Sequence, residues 1–447
     1  MISLVAVTAL ATCLAGSALG VEWRPGVPLT RDGAQLLYDG KPFAAVGVNK
    51  HELLDEYMAK LLGRPDEECE QALAAARGSL QRLSELGISV VRVRASGFWP
   101  AQIERTYLSE DADTRAAFWA ALDALMDDCD RYGLRVIPTI AWHLGAWADL
   151  GHESLADLLT NPLSAGRGLL GRWVEELVTR YHDRDTVLFW ELTNEANLLA
   201  DLRPQFAEEG VLQPKLDRPA PHLVTGPVIR DGRNNFSSEE LAALTRELCA
   251  GIKSLDPVHL VGTGFSAPRP AAWHLWLGSL RRADRMDWTT DTPEEQADAL
   301  RLITPEAVDL VSLHTYGWQG ERILDLKLAA DSMAKPVYVG ELGVSAQAFE
   351  GPVYDSVEAA EGLGVLLRAM REMRVPLVLL WTWDEWGTPI HEPVLRPDTQ
   401  PGVVEALRQG NQDAQREAWQ PMPEPQGLLG RLLELSAAYE ALVPERK

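Results

Sequence analysis

Residues 187–198 read VLFWELTNEANL. The first six are apolar or aromatic apart from one carboxylate, the pattern of a strand buried on both faces of a parallel sheet. The run breaks at Thr193, Asn194 and Glu195, a polar cluster at the carboxyl end of the strand. In parallel α/β folds, chemistry gathers at that end. Glu195 is therefore a candidate proton donor or base. A carboxylate is also favoured at a helix N-terminus by the dipole, so these twelve residues alone leave both readings open.

A second stretch narrows the choice. Residues 335–344 read KPVYVGELGV, where a short strand-like run again leads to a glutamate, Glu341. Two carboxylates at the ends of two buried strands are what cleavage of a glycosidic bond requires. One protonates the departing oxygen, and the other attacks or activates water.

Outward from these stretches, the chain repeats one cycle. Asp39-Gly40 is a hairpin turn dipeptide. Residues 43–48 are apolar and lead to Asn49, His51 and Glu52. A helix over 66–86 stops at Gly87, and 88–93 follows as a second strand carrying Arg92, with Arg94 beyond it. A helix over 114–132 stops at Gly133, and a third strand over 134–140 leads to Trp142 and His143. After a helix over 166–181 comes the strand quoted first. The segment 196–236 is a long connection rich in proline and charge, expected to wall a cleft. Ser237 and Ser238 before Glu239 and Glu240 start a helix that runs to about 255. A fifth strand spans 259–264, and 265–303 is expected as a loop bearing Trp273, Trp276 and Trp288. A sixth strand, 308–313, ends at His314 and Tyr316. Helices over 320–333 and 356–373 flank the seventh strand. The eighth, 377–380, ends at Trp381 and Trp383.

Strands alternating with helices imply a parallel sheet. Eight such units with polar strand ends predict a closed (β/α)8 TIM barrel, an α/β single domain over 21–402. Residues 403–447 are expected as a C-terminal helical extension packed on the barrel. No GxGxxG or GxxxxGK[ST] phosphate loop supports an open doubly wound sheet.

The 447 residues are 46% hydrophobic and 24% charged, an ordinary globular balance. A formal net charge of −23 repels nucleic acid and anionic membrane surfaces and leaves neutral polymers open as partners. Residues 1–20 carry no charged side chain and read as a signal peptide, which predicts a secreted or periplasmic protein without stable membrane insertion of the mature chain. A membrane anchor, or a lipid on Cys13, is the competing reading. The three later cysteines lack CxxC spacing and are expected as buried free thiols. No metal-ligand spacing such as HExxH appears, so neither a metal nor a cofactor is expected.

On these motifs the chain resembles glycoside hydrolase family 5, within the clan of (β/α)8 retaining glycosidases, and most of all its endo-β-mannanases. The resemblance spans about 36–390. GKPFAAVGVNKHEL (40–53) looks like the first strand, VVRV (90–93) like the second-strand arginine motif, and FWELTNEAN (189–197) like the acid/base motif. SLHTYGW (312–318), KPVYVGELG (335–343) and LLWTWDEW (379–386) look like the sixth-strand, nucleophile and eighth-strand motifs. Two features depart from the pattern. Ala196 stands where the family usually has proline, and the third-strand stretch reads AWHLGAW (141–147) where mannanases tend to carry paired asparagines.

The resemblance implies hydrolysis of β-linked glycans, mannanase-like or cellulase-like, by double displacement. Glu341 would be the nucleophile and Glu195 the acid/base. Arg92, Asn194, His314, Tyr316 and Trp381 would support substrate, joined by Asn49, His143 and Trp383 at strand ends. The residues themselves suggest bonds: Tyr316 and Arg92 can favour the ionised Glu341, and Asn194 can bond a sugar 2-hydroxyl. Alternation puts Arg92 and Arg94 on one face, where either can pair with Glu191. An exo-acting β-glycosidase on oligosaccharides and a non-catalytic glycan-binding barrel are the alternatives. A monomer is expected.

Overall fold

A computed structural model describes residues 21–202, 235–281, 285–344, 357–383, 400–418, 420–421 and 423–443, with Leu395 and Asp398. Residues 1–20, expected as a signal peptide, and most of the 196–236 connection lie outside them.

Eight parallel strands form the barrel: β1 Ala45–Asn49, β2 Val90–Arg94, β3 Arg135–Ala141, β4 Trp190–Thr193, β5 Val261–Gly262, β6 Val311–Tyr316, β7 Val337–Gly343 and β8 Leu377–Leu380. Their order is β5-β4-β3-β2-β1-β8-β7-β6. A parallel bridge between Gly262 and Leu310 joins the two ends, and the Asp309 and Leu310 N–H groups donate to the Val261 carbonyl. The fold is the expected (β/α)8 barrel.

The outer helices are α1 Asp66–Glu85, α2 Ala112–Arg131, α3 Ala165–Tyr181, α4 Ser238–Leu255, α5 Pro293–Ile303, α6 Gly320–Ser332, α7 Val357–Glu372, α8 Pro401–Glu417 and α9 Pro425–Leu442. Strand alternation divides the apolar residues into two cores. Val90, Ile137, Phe189, Tyr338, Leu377 and Leu379 fill the barrel's interior. Val91, Val136, Trp190, Val339, Val378 and Leu380 join the larger core between sheet and helices.

A small antiparallel sheet precedes the barrel, made of Leu29–Asp32, Gln35–Tyr38 and Lys41–Pro42. Asp39 and Gly40, both with positive φ, make its second turn. Leu29, Leu36 and Phe43 pack into the interior core and plug the amino end of the barrel. The carboxyl end is left for chemistry.

Two stretches differ from their sequence reading. The expected loop 265–303 contains Ala272–Leu280 as a helix, and α5. Thr292 and Glu295 form a reciprocal capping box with proline in the first turn, and Gln296, Ala299, Leu300 and Ile303 make a buried stripe. That start signal outweighs the loop reading. Within 403–447, α8 occupies the eighth helical position against α7 and β1. Beyond it, α9 packs on α7 through Leu428, Leu432, Leu435 and Tyr439. Cys69, Cys129 and Cys249 are free thiols. Among the described residues, no helix is long and apolar enough to cross a membrane.

Candidate active site

The site begins inside the barrel, below the pocket floor. Val90, Arg92 and Arg94 alternate toward the lumen, and Val91 and Val93 pack outward. Arg92 is fully buried and bonds four side chains. Its Nε donates to Glu191 Oε1 at 2.7 Å and its Nη2 to Asn194 Oδ1 at 2.7 Å. Its Nη1 donates to Asn49 Oδ1 at 2.9 Å and to Glu341 Oε1 at 2.8 Å. Burial works against the guanidinium charge, but Glu191 and Glu341 more than restore it, so Arg92 is held fully protonated. The pairing with Glu191 and the place beside the nucleophile candidate are thus compatible in one residue. Arg94 instead pairs with Asp55 at 2.7 Å.

Glu191 is fully buried and also accepts from Thr139 Oγ1 (2.6 Å) and Tyr338 Oη (2.7 Å). Its oxygens are occupied, so it serves as the buried counter-charge of Arg92. Asn49 completes the floor. Its Nδ2 donates to the carbonyls of Gly340 (2.8 Å) and Leu380 (3.2 Å), tying β1 to β7 and β8.

Glu341 reaches the pocket because of a bulge. Tyr338 faces the lumen, so plain alternation would point residue 340 inward and Glu341 toward the helices. The β7–β6 register instead skips Gly340: Val339 pairs with Leu313 and Glu341 with His314. The extra residue turns Glu341 inward, a common use of a bulge beside an active site. Glycine is required there, since a Cβ would lie 2.7 Å from His314 Nε2.

Tyr316 Oη donates to Glu341 Oε2. His314 Nδ1 lies 3.0 Å from Glu195 Oε1 and 3.4 Å from Glu341 Oε1, between the two carboxylates. Ligand atoms of Glu195, His314 and Glu341 all lie within 4.8 Å of one another. Glu195 keeps 30% of its side chain exposed and Glu341 only 4%. Glu195 therefore stands on the open side of the pocket and Glu341 at its base.

Charge differs between the pair. Burial raises the Glu195 carboxyl, but the His314 hydrogen bond and charge, Arg92 and the Ser266 hydroxyl outweigh it and hold it below the ordinary range. Burial and the Glu195 charge push Glu341 above that range, against His314, Arg92 and Tyr316. The pocket thus resists carrying two negative charges and keeps one proton over an interval of pH.

An aromatic stack forms one wall. Arg92 lies 4.5 Å from the Trp142 ring centroid, His51 stacks on Trp142 at 5.5 Å, and Trp381 stacks on His51 at 4.8 Å. The peptide bond after Trp381 is cis. His51 and Trp142 stood at strand ends in the sequence, and the structure brings them into this stack. His143 stacks on Phe98 at 5.7 Å. Trp383 is fully buried in the outer core. Ser266 and Arg269, from the stretch after β5, reach Glu195 through a hydrogen bond and through charge. Nothing in their sequence pattern marks them.

Among the described residues, two groups have the spacing to share a cation. In the pocket, Glu195, His314 and Glu341 do, but the Arg92 charge beside Glu341 opposes one. The other is His274, Asp291 and Glu295. There the Asp291 oxygens are already taken by the Trp273 N–H, the His274 ring and the Gln296 amide.

No family model matches the chain. Its sequence is 24% identical over 358 residues to mannan endo-1,4-beta-mannosidase 8 of Oryza sativa subsp. japonica, covering 70% of this chain and 78% of that one. The endo-1,4-beta-mannanase of Rhizomucor miehei superposes with a TM-score of 0.58 at 16% identity, covering 86% of this chain and 99% of that one. The glycoside hydrolase family 5 mannosidase of the same organism superposes with a TM-score of 0.57 at 14% identity, covering 90% and 100%. At these identities the structural likeness speaks to fold. The chain is similar in sequence to endo-β-mannosidases and in fold to glycoside hydrolase family 5.

Proposed function

We propose that this protein is a retaining glycoside hydrolase that cleaves β-linked, mannan-type glycans internally. The observation that carries the reading is the approach of Glu195 and Glu341 to within 4.8 Å. Retaining enzymes hold their two carboxyl groups about 5–5.5 Å apart, whereas inverting ones leave about 6.5–9.5 Å for a water. In the form of the pair whose one proton sits on Glu195, Glu341 is the ionised partner, bonded by Arg92 and Tyr316, and attacks the anomeric carbon. Glu195 gives its proton to the departing oxygen as the glycosidic bond breaks. Glu195 then takes a proton from water, whose oxygen displaces Glu341 and restores the starting configuration. Asn194, its carbonyl oxygen held by Arg92, presents its amide Nδ2 to a sugar hydroxyl, and Trp381 offers a ring face. His314 bridges the carboxylates.

Mannan as substrate is supported by the names of the relatives, and secretion by the uncharged leader 1–20. We take the protein as a monomer, since every group invoked comes from one chain. A panel of mannan, glucomannan, cellulose, xylan and mixed-linkage glucan tests the substrate, and product lengths separate internal from terminal cleavage. Proton NMR of the first product tests the mechanism. Retained anomeric configuration is expected, and inversion would overturn it.

A further inference from the structure

We infer that Asn197 is a positioning residue for the acid/base, acting through Ser266. This rests on Glu195 being the acid/base. Glu195 sits in the left-handed region, φ 51° and ψ 24°. A non-glycine residue stays there only when its surroundings hold it. Its chain neighbours, Asn194 and Ala196, place no covalent restraint on its backbone. Restraint therefore has to come from elsewhere.

It comes from the stretch after β5. The ladder between β4 and β5 continues past both strand ends. Thr193 N–H donates to the Thr263 carbonyl at 3.2 Å, and Glu195 N–H to the Gly264 carbonyl at 2.9 Å. Side chains then take over from backbone. Asn197 Nδ2 donates to the Ser266 carbonyl at 2.9 Å, and Ser266 N–H donates to Asn197 Oδ1 at 3.0 Å. The carboxamide thus satisfies both backbone groups of Ser266, as a neighbouring strand would. Arg269 closes the turn by donating from Nη2 to the Leu198 carbonyl at 2.7 Å.

Ser266 is not a passive partner. Its hydroxyl is near enough to the Glu195 carboxylate to help hold that carboxyl below its ordinary range. With the Ser266 peptide fixed on both sides by Asn197, that hydroxyl and the Glu195 backbone are referred to the same turn. Asn197 touches no reacting atom. It sets where the acid's proton points.

The leaving group distinguishes this role from a merely structural one. A dinitrophenolate departs without protonation, and a sugar alkoxide does not. The test compares kcat/KM on β-1,4-mannotetraose and on 2,4-dinitrophenyl β-mannobioside for wild type, Asn197→Ala and Glu195→Gln. Asn197→Ala is expected to lose roughly 10- to 100-fold on mannotetraose, part of the about 10²–10⁴-fold that a positioned acid contributes. Its loss on the dinitrophenyl glycoside is expected to stay within about 3-fold, by the same principle. Glu195→Gln is expected to show the same selectivity more strongly. Equal losses for Asn197→Ala on both substrates, or none on either, would overturn the inference alone. A wild type that cleaves neither substrate, or a Glu195→Gln variant without selectivity, overturns the parent assignment as well. If Asn197→Ala does not fold, Asn197→Asp, which keeps the acceptor for Ser266 N–H, takes its place in the same comparison.

Discussion

One buried arginine organises the catalytic groups residue by residue. Arg92 joins Glu191, Asn49, Asn194 and Glu341, so the floor and Glu341 share one cation. The glutamates were legible because each ends an apolar run, and His314 and Tyr316 because they end the sixth. The inward turn of Glu341 was not legible, since alternation from Tyr338 points it the other way and only the bulge at Gly340 corrects it. Two outcomes follow at this scale. Tyr316→Phe removes the O–H that Glu341 Oε2 accepts. A hydrogen bond to a charged group contributes about 1.5–3 kcal/mol, so kcat/KM should fall about 10- to 100-fold with the melting temperature little changed. The second concerns pH. Activity needs one proton on the pair, so it is lost as pH falls through the lowered Glu195 ionisation and again as pH rises through the raised Glu341 ionisation. The kcat/KM profile should be a bell whose limbs straddle the ordinary glutamate value of about 4.3. A single sigmoid would mean the carboxyls do not share a proton.

Between elements, the close contact of β4 and β5 matters most. Gly264 has φ +70°, and a Cβ there would lie 1.8 Å from the Thr193 carbonyl oxygen and 2.8 Å from Glu191 Cγ. Those neighbours are the strand that leads to Glu195 and the counter-ion of Arg92. Gly264→Ala should destabilise by about 3 kcal/mol or more, from overpacking together with the left-handed backbone, as measured by urea unfolding. Unchanged stability would show that β5 can move away from β4 freely. The elements that escaped the sequence reading lie in this neighbourhood. The helices of 265–303 are short, the first contains Trp273 and Trp276 that read as loop, and only the Thr292-to-Glu295 capping box marked α5. Asn197 and Ser266 sit where neither strand nor helix period applies, so no spacing could pair them.

For the whole molecule, alternation was enough to give the barrel, because each strand's apolar run is bounded by helix stops and polar ends. The eighth helix is anchored by a residue the sequence left among the C-terminal helices. Asn411 of α8 is buried, accepts from Val46 N–H at 2.8 Å and donates to the Gly87 carbonyl at 2.9 Å. It ties α8 to β1 and to the turn before β2. Asn411→Ala leaves two buried backbone groups unpaired, and should cost about 2–4 kcal/mol in chemical unfolding. A loss below about 0.5 kcal/mol, the scale of an ordinary surface substitution, would contradict that role. The barrel brings residues 195 and 341 to one pocket. Whether they divide the reaction as proposed is tested most directly by trapping the intermediate. The protein is incubated with 2,4-dinitrophenyl 2-deoxy-2-fluoro-β-mannobioside and its peptides are mapped by mass spectrometry. One fluoroglycosyl adduct on Glu341, formed as activity disappears, is the expected result. An adduct on any other residue, Glu195 included, would contradict it.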